Sequence, residues 1–447
     1  MPEFDYDLIV IGAGSGGVRA ARLTAQLGKR VAVIEADKPG GTCVLRGCVP
    51  KKLMVNAADI PHEVAMAQGY GWDLKPGALN WDQLREDIQA ETLRLSEIYK
   101  TNLQKAGAEL IMGHGSLVDA HTVAVGDRTL TSQYILIATG SATREDLGFP
   151  GSEYAVTSDD MFTLPQIPKR ALVLGAGFIA LEFASVLNGF GCEVTVAVRR
   201  DEIFNTSFDL ETRQTLRRAM EDRGVKFLLR AEIEKLQKTA AGLQASLTNA
   251  EDMTVDMVLA GFGRDPNTKG LNLDAVGVHT GQAGEIVVDP HSQTSVPHIY
   301  AIGDVTNRMN LTPVAIREGV AFVETVFKNR PTAFDYNDVP VAVYSLPNMA
   351  AVGLSEDWAR QENHAVTIFK SSFKPMKTGF AGLGERTFIK LVVDAESDRV
   401  LGAHMVGPDA GEMIQLLGIA VKAGLTKAQF DATCALHPTA AEEWVTL

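Results

Sequence analysis

The sequence predicts an α/β protein with two β-turn-α-β units and an α+β C-terminal domain. The first observation is a buried strand over residues 7–12, then a glycine-rich turn, a helix to Gly28 and a second strand ending at residue 35. The second is that the same design returns over residues 171–198, too far along the chain to complete the first sheet. The third is a change of character near Asp338, where strand-like runs alternate with an apolar helix. Together they predict two Rossmann-like nucleotide-binding domains followed by a separate domain.

Length and composition exclude several classes of protein. The chain has 447 residues, 46% of them hydrophobic, and a formal net charge of −13. At about 150 residues per domain this length predicts about three compact units, and the apolar content excludes a disordered chain. The acidic balance argues against nucleic-acid and anionic-membrane partners, which bind basic surfaces. The apolar stretch 171–187 is interrupted by Glu182 and Ser185, so it does not predict a membrane span.

The cysteines and the N-terminal residues indicate the compartment. Four cysteines, Cys43, Cys48, Cys192 and Cys434, are too few for a secreted disulfide scaffold. The acidic start MPEFDYD lacks the basic segment and apolar run of a signal peptide. We therefore expect a reducing, cytoplasmic location.

The first glycine-rich turn predicts a dinucleotide site. Gly12, Gly14 and Gly17 form a G-x-G-x-x-G pattern between a strand and a helix, which lets backbone approach a pyrophosphate at the helix N-terminus. Glu35 ends the second strand, where an acid binds ribose hydroxyls and repels a 2′-phosphate. The first unit therefore fits an unphosphorylated adenosine, as in FAD or NAD.

The second turn differs from the first in two places. Ala180 takes the position of the third glycine, and the second strand ends in Arg199 and Arg200 rather than an acid. Two guanidinium groups suit a 2′-phosphate, although a solvated arginine pair at a strand end is the alternative. The second strand ends in an acid in one unit and in arginines in the other, which favours two different dinucleotides. FAD with NADPH is the simplest pair that fits both.

The segment GGTCVLRGCVPKK at residues 40–52 predicts redox chemistry. Residues five apart on an α-helix lie about 8–9 Å apart, whereas a disulfide needs about 4.4–6.8 Å between Cα atoms. A Cys43–Cys48 bridge therefore requires a break in the helix, which Gly47 allows. Lys51, one turn beyond Cys48, can lower the pKa of a thiol or contact a flavin. The pattern favours a redox-active pair over two inert buried thiols, and no neighbouring residues suggest a metal site.

His437 is a candidate acid-base group near the C-terminus. Pro438 follows it and is predicted to be the first helical residue. Taken alone, the histidine is typical of a structural or surface residue. A dithiol elsewhere in the chain makes it a candidate proton donor, with Glu442 as the group that orients it.

Segments along almost the whole chain resemble the flavin-dependent pyridine-nucleotide disulfide oxidoreductases. They are GAGSGG (12–17), GGTCVLRGCVPKK (40–52), IATG (137–140), GAGFIALE (175–182), GRDPN (263–267), YAIGD (300–304), LTPVAI (311–316) and HPTAAEE (437–443). CVPKK, rather than CIPSK, favours the branch that reduces oxidised glutathione over the lipoamide branch. The resemblance implies an FAD-binding domain over residues 1–142, an NADP-binding domain over 143–266, a central domain over 267–337 and a dimerisation domain over 338–447. The two nucleotide-binding domains are expected to have three layers of ββα type.

The resemblance also implies roles for single residues. NADPH would reduce the Cys43–Cys48 disulfide by way of FAD, with Lys51 and Glu182 paired near the flavin. Cys43 would attack the substrate disulfide while Cys48 contacts the flavin. His437 of the partner subunit, held by Glu442, would protonate the departing thiolate, so a homodimer is expected. The implied FAD contacts are Gly12, Gly14, Ser15, Gly16, Gly17, Glu35, Thr42, Cys43, Lys51, Gly115, Thr139, Gly140, Asp304 and Thr312. The implied NADP contacts are Gly175, Gly177, Phe178, Ile179, Glu182, Arg199, Arg200 and Gly263.

The expected substrate is oxidised glutathione, which is anionic, whereas the trypanosomal disulfide is cationic and lipoamide is neutral. Ser15, Arg22 and Tyr99 match the family's glutathione contacts, and Arg19 lies on the same helix face as Arg22. Cationic residues there favour an anionic substrate.

Three departures from the family pattern leave alternatives open. Val320 stands where an arginine contacts the substrate in some members, and Asn205-Thr206 stands where the NADP loop often carries an arginine. Phe178 replaces a tyrosine that gates the nicotinamide pocket. The alternatives are a reductase of another small disulfide, such as a modified glutathione or lipoamide, with NADH as its possible donor, and a redox sensor without turnover.

Overall fold

The computed structural model describes residues 4–204 and 208–447, which form two compact units. The first unit contains the described part of Met1–Lys51 together with Gln83–Glu145 and Gly263–Tyr336. The second contains Lys52–Asp82, the described part of Asp146–Phe262, and Asn337–Leu447. Asn205-Thr206, the predicted departure in the NADP loop, lies outside the described residues. The division into four domains stays a prediction.

Helices and strands both occur along the whole described length of the chain. The helices are α1 (Ser15–Gln26), α2 (Gly41–Leu45), α3 (Cys48–Gly69), α4 (Trp81–Ala106), α5 (Phe178–Gly189), α6 (Leu210–Asp222), α7 (Leu273–Val276), α8 (Thr312–Phe327), α9 (Glu356–Gln361), α10 (Met376–Phe380), α11 (Ala410–Lys422), α12 (Lys427–Asp431) and α13 (Glu443–Thr446). The strands are β1 (Tyr6–Ile11), β2 (Val31–Glu35), β3 (Glu109–Met112), β4 (Gly115–Leu117), β5 (Thr122–Val125), β6 (Arg128–Ile137), β7 (Ser141–Thr143), β8 (Arg170–Leu174), β9 (Glu193–Val198), β10 (Lys226–Leu229), β11 (Ile233–Thr239), β12 (Gly242–Leu247), β13 (Met253–Val255), β14 (Met257–Ala260), β15 (Arg264–Pro266), β16 (Ile299–Ala301), β17 (Val341–Val343), β18 (Met349–Gly353), β19 (Val366–Phe373), β20 (Thr387–Asp394) and β21 (Val400–Val406).

The first unit is built on a parallel sheet in the order β3-β2-β1-β6, with β16 also pairing with β6. Successive side chains of β1 point to opposite faces of the sheet, and both faces are covered by other elements. Leu8 and Val10 pack against α1, α4 and α8, whereas Ile9 and Ile11 pack against the antiparallel strands β4 and β5 and the start of β6, which pairs with β5. This arrangement of helices, parallel sheet and antiparallel strands confirms the three-layer prediction for the first nucleotide-binding unit.

The second unit repeats this design and adds a further sheet. Its parallel strands run in the order β10-β9-β8-β14, with α5 on one face and the antiparallel strands β11, β12 and β13 packed on the other. The C-terminal strands form a separate antiparallel sheet in the order β17-β18-β21-β20-β19, against which α11 packs. The predicted fold class, two Rossmann-like regions and an α+β C-terminal region, is confirmed.

A buried lysine connects two segments inside the second unit. Lys390 of β20 is 1% exposed, and its Nζ lies 2.9 Å from Asp209 Oδ2, 2.9 Å from Glu211 Oε2 and 2.8 Å from Glu356 Oε2. Burial opposes the charge on this lysine, but the carboxylates outweigh it and raise the pKa of Lys390. The charged lysine therefore ties the first turn of α6 and α9 to the C-terminal sheet.

Two local predictions are wrong. The apolar run that ends at Gly263 predicts a strand followed by a turn over residues 264–267. Instead, Arg264–Pro266 is strand β15, which pairs antiparallel with β7 and places its proline at the strand end, where no ladder N–H is needed. Pro438 does not start a helix. The Thr439 hydroxyl accepts the N–H of Glu442 at 3.2 Å and caps a 3₁₀ turn over Ala440–Glu442, so the helical backbone starts later than expected.

None of the helices in the described ranges is both long and apolar enough to cross a membrane.

Candidate active site

The two neighbouring cysteines lie at a break between two helices of the chain. Helix α2 ends at Leu45, Arg46 has a non-helical φ of −151°, and α3 begins at Cys48. The predicted interruption of the helix is therefore confirmed. The Cys43 thiol hydrogen-bonds to that of Cys48, whose Sγ lies 3.7 Å from Thr312 Oγ1. Neither Cys43 nor Cys48 is part of a disulfide in the structure.

The two thiols influence each other's ionisation. The hydrogen bond to Cys48, burial and the charge on Cys48 raise the pKa of Cys43, while Thr312 and Lys51 act to lower it. Two neighbouring thiolates repel each other, so the pair gives up its first proton more readily than its second. Cys43 therefore needs a nearby base to become a nucleophile.

The first glycine-rich turn has the geometry that a dinucleotide needs. Gly12 has a φ of +107°, and a Cβ there would lie 2.4 Å from the Ala138 carbonyl oxygen, so only glycine fits. Gly14 is the N-cap residue of α1, and within the described residues no side chain caps this helix end, which leaves first-turn N–H groups for an anion. Glu35 Oε2 accepts the N–H of Ala13 at 2.7 Å, which places its carboxylate beside the turn. The residues present fit an adenine dinucleotide.

The other predicted FAD contacts lie in the first unit, on separate elements. Ser15, Gly16 and Gly17 form the first turn of α1, Thr42 lies in α2, Gly115 opens β4, Thr139 and Gly140 follow β6, Asp304 lies in a 3₁₀ turn over Gly303–Thr306, and Thr312 opens α8. They come from distant parts of the sequence but belong to one compact unit.

Sequence reasoning missed the partners of Asp304. Ser141 Oγ donates to Asp304 Oδ2 at 2.8 Å, and Arg264 Nε lies 3.1 Å from the same hydroxyl. Burial raises the pKa of Asp304, and Ser141 and Arg264 oppose that rise. Ser141 follows the IATG segment and Arg264 lies in the GRDPN segment. Their contacts join residues more than a hundred positions apart in the chain, and no local sequence pattern predicts such contacts.

The second glycine-rich turn, in the second unit, repeats the geometry of the first. Gly175 has a φ of +110°, and Gly177 is the N-cap residue of α5, a helix end that no side chain caps in the described chain. Arg199 and Arg200 are exposed at the end of β9, and Arg199 Nη1 lies 3.6 Å from Glu232 Oε1. An exposed guanidinium pair at this position fits the 2′-phosphate of NADP.

The remaining predicted NADP contacts are divided between the units. Phe178 is 47% exposed, Ile179 is half-buried, and buried Glu182 accepts the N–H of Tyr344 through Oε1 at 2.9 Å. Gly263 belongs to the first unit, as does Lys51, whereas Glu182 belongs to the second. The pairing of Lys51 with Glu182 stays a prediction.

The predicted substrate residues approach the cysteines. Burial and the charge on Cys43 raise the pKa of Tyr99, while contact with Ser15 and the charge on Arg22 oppose that rise. Arg22 Nε is buried and has no hydrogen-bond partner among residues 4–204 and 208–447. Unsatisfied buried polar groups beside a thiol are typical of a site that accepts a polar ligand. Arg19 is exposed, and Val320 is half-buried on α8.

His437 and Glu442 form a hydrogen-bonded pair in the second unit. Nδ1 of the imidazole lies 3.0 Å from Glu442 Oε2, and the histidine side chain is 78% exposed. A carboxylate only accepts hydrogen bonds, so Nδ1 donates and Nε2 is left to exchange a proton. The geometry fits a general acid-base group, and its role stays a prediction.

The two other cysteines lie outside these clusters. Cys192 is buried, and burial, assisted by Asp256 and Glu193, raises the pKa of its thiol to about 12. Cys434 is exposed. The structure gives no indication of a catalytic role for Cys192 or Cys434.

Known proteins match this chain over nearly its whole length. Residues 6–319 match the family model of the pyridine nucleotide-disulphide oxidoreductases, and residues 339–447 match the model of the dimerisation domain of these proteins. The chain is 44% identical to the glutathione reductase of Nostoc sp. (strain PCC 7120 / SAG 25.82 / UTEX 2576), with 99% of each chain covered. It is also 44% identical to the chloroplastic/mitochondrial glutathione reductase of Pisum sativum, over 100% of this chain and 82% of that protein.

A relative with a different substrate matches as well. The chain is 39% identical to the trypanothione reductase of Leishmania donovani, over 98% of this chain and 94% of that protein. The family model covers more than half of the chain, and the helix break with its two cysteines and both glycine-rich turns agree with it. The chain belongs to the pyridine nucleotide-disulphide oxidoreductase family.

Proposed function

We propose that this chain is an FAD-containing reductase that uses NADPH to convert oxidised glutathione into two molecules of glutathione. In the net reaction one NADPH and one proton reduce one disulfide to two thiols and leave NADP⁺. The observation that carries the proposal is the Cys43–Cys48 dithiol, which belongs to the same unit as a dinucleotide turn and has Arg22 and Tyr99 nearby. The glutathione reductases at 44% identity over nearly the full chain support the substrate.

The chain's own residues perform the exchange of disulfides. FAD, when bound, supplies a two-electron carrier between NADPH and the protein disulfide. His437 of the partner subunit accepts the proton of the Cys43 thiol. The Cys43 thiolate attacks one sulfur of oxidised glutathione and forms a mixed disulfide, and the partner's His437 gives the proton to the departing thiolate. Cys48 then gives up its proton and attacks the Cys43 sulfur of the mixed disulfide. This step forms the Cys43–Cys48 disulfide and releases the second glutathione, which takes up that proton. Two electrons from NADPH restore the dithiol.

The proposal includes a homodimer and a cytoplasmic location. The C-terminal match to a dimerisation domain supports a homodimer, in which Glu442 would orient His437 toward the partner's cysteines. The low cysteine content supports a cytoplasmic location.

A substrate panel tests the proposed function. The purified chain, loaded with FAD, is assayed for oxidation of NADPH and of NADH with oxidised glutathione, trypanothione disulfide and lipoamide. We expect the highest kcat/KM with NADPH and oxidised glutathione. A higher value with another disulfide or with NADH would assign the alternative reductase, and no turnover with any pair would favour the redox sensor.

Arg22 is expected to set the affinity for the anionic substrate. Replacement by alanine removes a partly buried cation near Tyr99, the residue that in turn lies near Cys43, so Arg22→Ala should raise KM for oxidised glutathione at least about tenfold, with little change in kcat. Arg19→Ala is the matched control, because Arg19 lies one turn earlier on α1 and is exposed. Steady-state kinetics of both variants checks this, and equal KM values in the two would reject Arg22 as a substrate contact.

A further inference from the structure

A buried carboxylate in the first unit has no role in the chemistry described above. Glu318 of α8 is 2% exposed, and both of its oxygens have partners. Oε2 accepts the backbone N–H of Gly303 at 2.6 Å. Oε1 lies 2.9 Å from Arg308 Nη2 and also accepts the hydroxyl of Tyr336. A buried charge is costly unless it is paired, so any movement of this carboxylate away from its partners is unfavourable. The contacts therefore hold the Glu318 carboxylate in one position.

The partners of Glu318 are themselves fixed. Arg308 donates to Ser292 Oγ at 3.0 Å and to Thr306 Oγ1 at 3.2 Å, and its guanidinium lies over the Tyr336 ring at 5.4 Å from the ring centre. Thr306 in turn donates to the Gly303 carbonyl at 2.8 Å. The network therefore fixes both the N–H and the C=O of Gly303.

Gly303 immediately precedes Asp304, so the network sets the position of a predicted flavin contact. The helix that carries Glu318 begins at Thr312, another predicted flavin contact, which lies 3.7 Å from Cys48. One carboxylate thus connects the turn that carries Asp304 to the helix that carries Thr312.

The next residue along α8 reaches the dinucleotide turn. A Cβ at Gly319 would lie 2.9 Å from the Gly16 carbonyl oxygen, and a Cβ at Gly16 would lie 2.9 Å from the Ala315 carbonyl oxygen. Helices α1 and α8 therefore cross in backbone contact at the first turn of α1. Helix α8 contacts or carries three separate parts of the predicted flavin site.

We propose that Glu318 is a positioning residue for the flavin. It holds the Asp304 turn against α8, so that Asp304, Thr312 and the Gly16 turn keep the relative positions that FAD binding needs. The inference rests on the proposed function, because FAD is assigned there. Tyr336 and Arg308 serve the same end by holding the Glu318 carboxylate.

Affinity of the stripped protein for FAD tests this role without any measurement of turnover. FAD is removed from the full-length chain, and its Kd is measured by quenching of flavin fluorescence on rebinding. Glu318→Ala should raise Kd about 10- to 100-fold, as loss of a supporting hydrogen-bond partner does at other sites. Glu318→Gln should raise it less, because the amide oxygen can still accept the Gly303 N–H although it offers Arg308 no charge.

A control separates positioning from loss of stability. Leu130→Ala opens a cavity in the β6 part of the same unit, where Leu130 is 5% exposed, and should lower the Tm of the stripped protein. Its Kd for FAD should stay within about twofold of wild type.

The outcomes distinguish the inference from the proposed function. An unchanged Kd in Glu318→Ala would overturn the positioning role, as would an equal rise in Kd in Glu318→Ala and Leu130→Ala at matched loss of Tm. If the wild-type chain did not bind FAD, the proposed function would fail first, and the inference with it.

Discussion

Cys43→Ser is expected to abolish turnover of oxidised glutathione, with kcat reduced by at least about a thousandfold. The hydroxyl of serine cannot form the mixed disulfide, and Cys48 alone cannot complete the exchange, because the protein disulfide that releases the second glutathione needs both cysteines. Of the two cysteines outside the pair, Cys192 is buried and its pKa is raised to about 12. The measurement is NADPH oxidation by the FAD-loaded variant over a range of concentrations of oxidised glutathione.

Two further variants complete this test. Cys434→Ser replaces an exposed thiol outside the pair and should retain wild-type kcat. Cys48→Ser keeps the attacking thiol but lacks the resolving one, so it should accumulate one glutathione on Cys43, detected by mass spectrometry. Turnover by Cys43→Ser within about tenfold of wild type would show that the pair is not the reaction centre.

His437→Gln is expected to lower kcat about 10²- to 10⁴-fold, the range that general acid-base catalysis contributes. Glutamine keeps the polar surface of this exposed position but cannot protonate a departing thiolate. Glu442→Gln should cost less, because Glu442 orients Nδ1 and does not itself transfer the proton. The comparison of kcat in the two variants, with FAD content held equal, checks this order, and a larger loss in Glu442→Gln would contradict it.

Mixed dimers test whether the site is shared between subunits. A dimer of one Cys43→Ser subunit and one His437→Gln subunit keeps a single complete site if the histidine serves the partner's cysteines. Random exchange of the two inactive variants should then recover about a quarter of the wild-type activity. No recovery after verified exchange would place the histidine on the same subunit as its cysteines.

Much of the fold follows from local patterns in the sequence. The alternation of apolar residues in β1, the turn at Gly12 and the helix α1 are specified within some twenty residues, and the second unit repeats that specification. The break between the two cysteines was equally predictable, because a continuous helix keeps residues five apart too far apart for a disulfide. Motif spacing therefore located Cys43 and Cys48, but not the hydroxyl of Thr312 that lies beside them.

The residues that the sequence did not reveal act through long-range contacts. Glu318 and Lys390 are each expected at the surface from their side-chain type, yet both are buried and paired. The partners Asp209 and Glu211 of Lys390 are distant in the chain, whereas those of Glu318 lie in neighbouring segments, beyond the reach of the pattern within one helix. Strand β15 was hidden for the same reason, since a short segment that contains proline gains strand geometry only by pairing with β7. Pro438 predicts a helix start, but the Thr439 hydroxyl caps the final 3₁₀ turn, so the helical backbone begins at Ala440.

Counting reactive thiols before and after NADPH tests the central claim most directly. The oxidised, FAD-loaded protein is alkylated under denaturing conditions without oxygen, and the labelled cysteines are located by mass spectrometry. We expect label on Cys192 and Cys434 alone before NADPH, and on Cys43 and Cys48 as well after one equivalent, since two electrons convert one disulfide into two thiols. Label on Cys43 and Cys48 before NADPH, or no new label after it, would contradict the account.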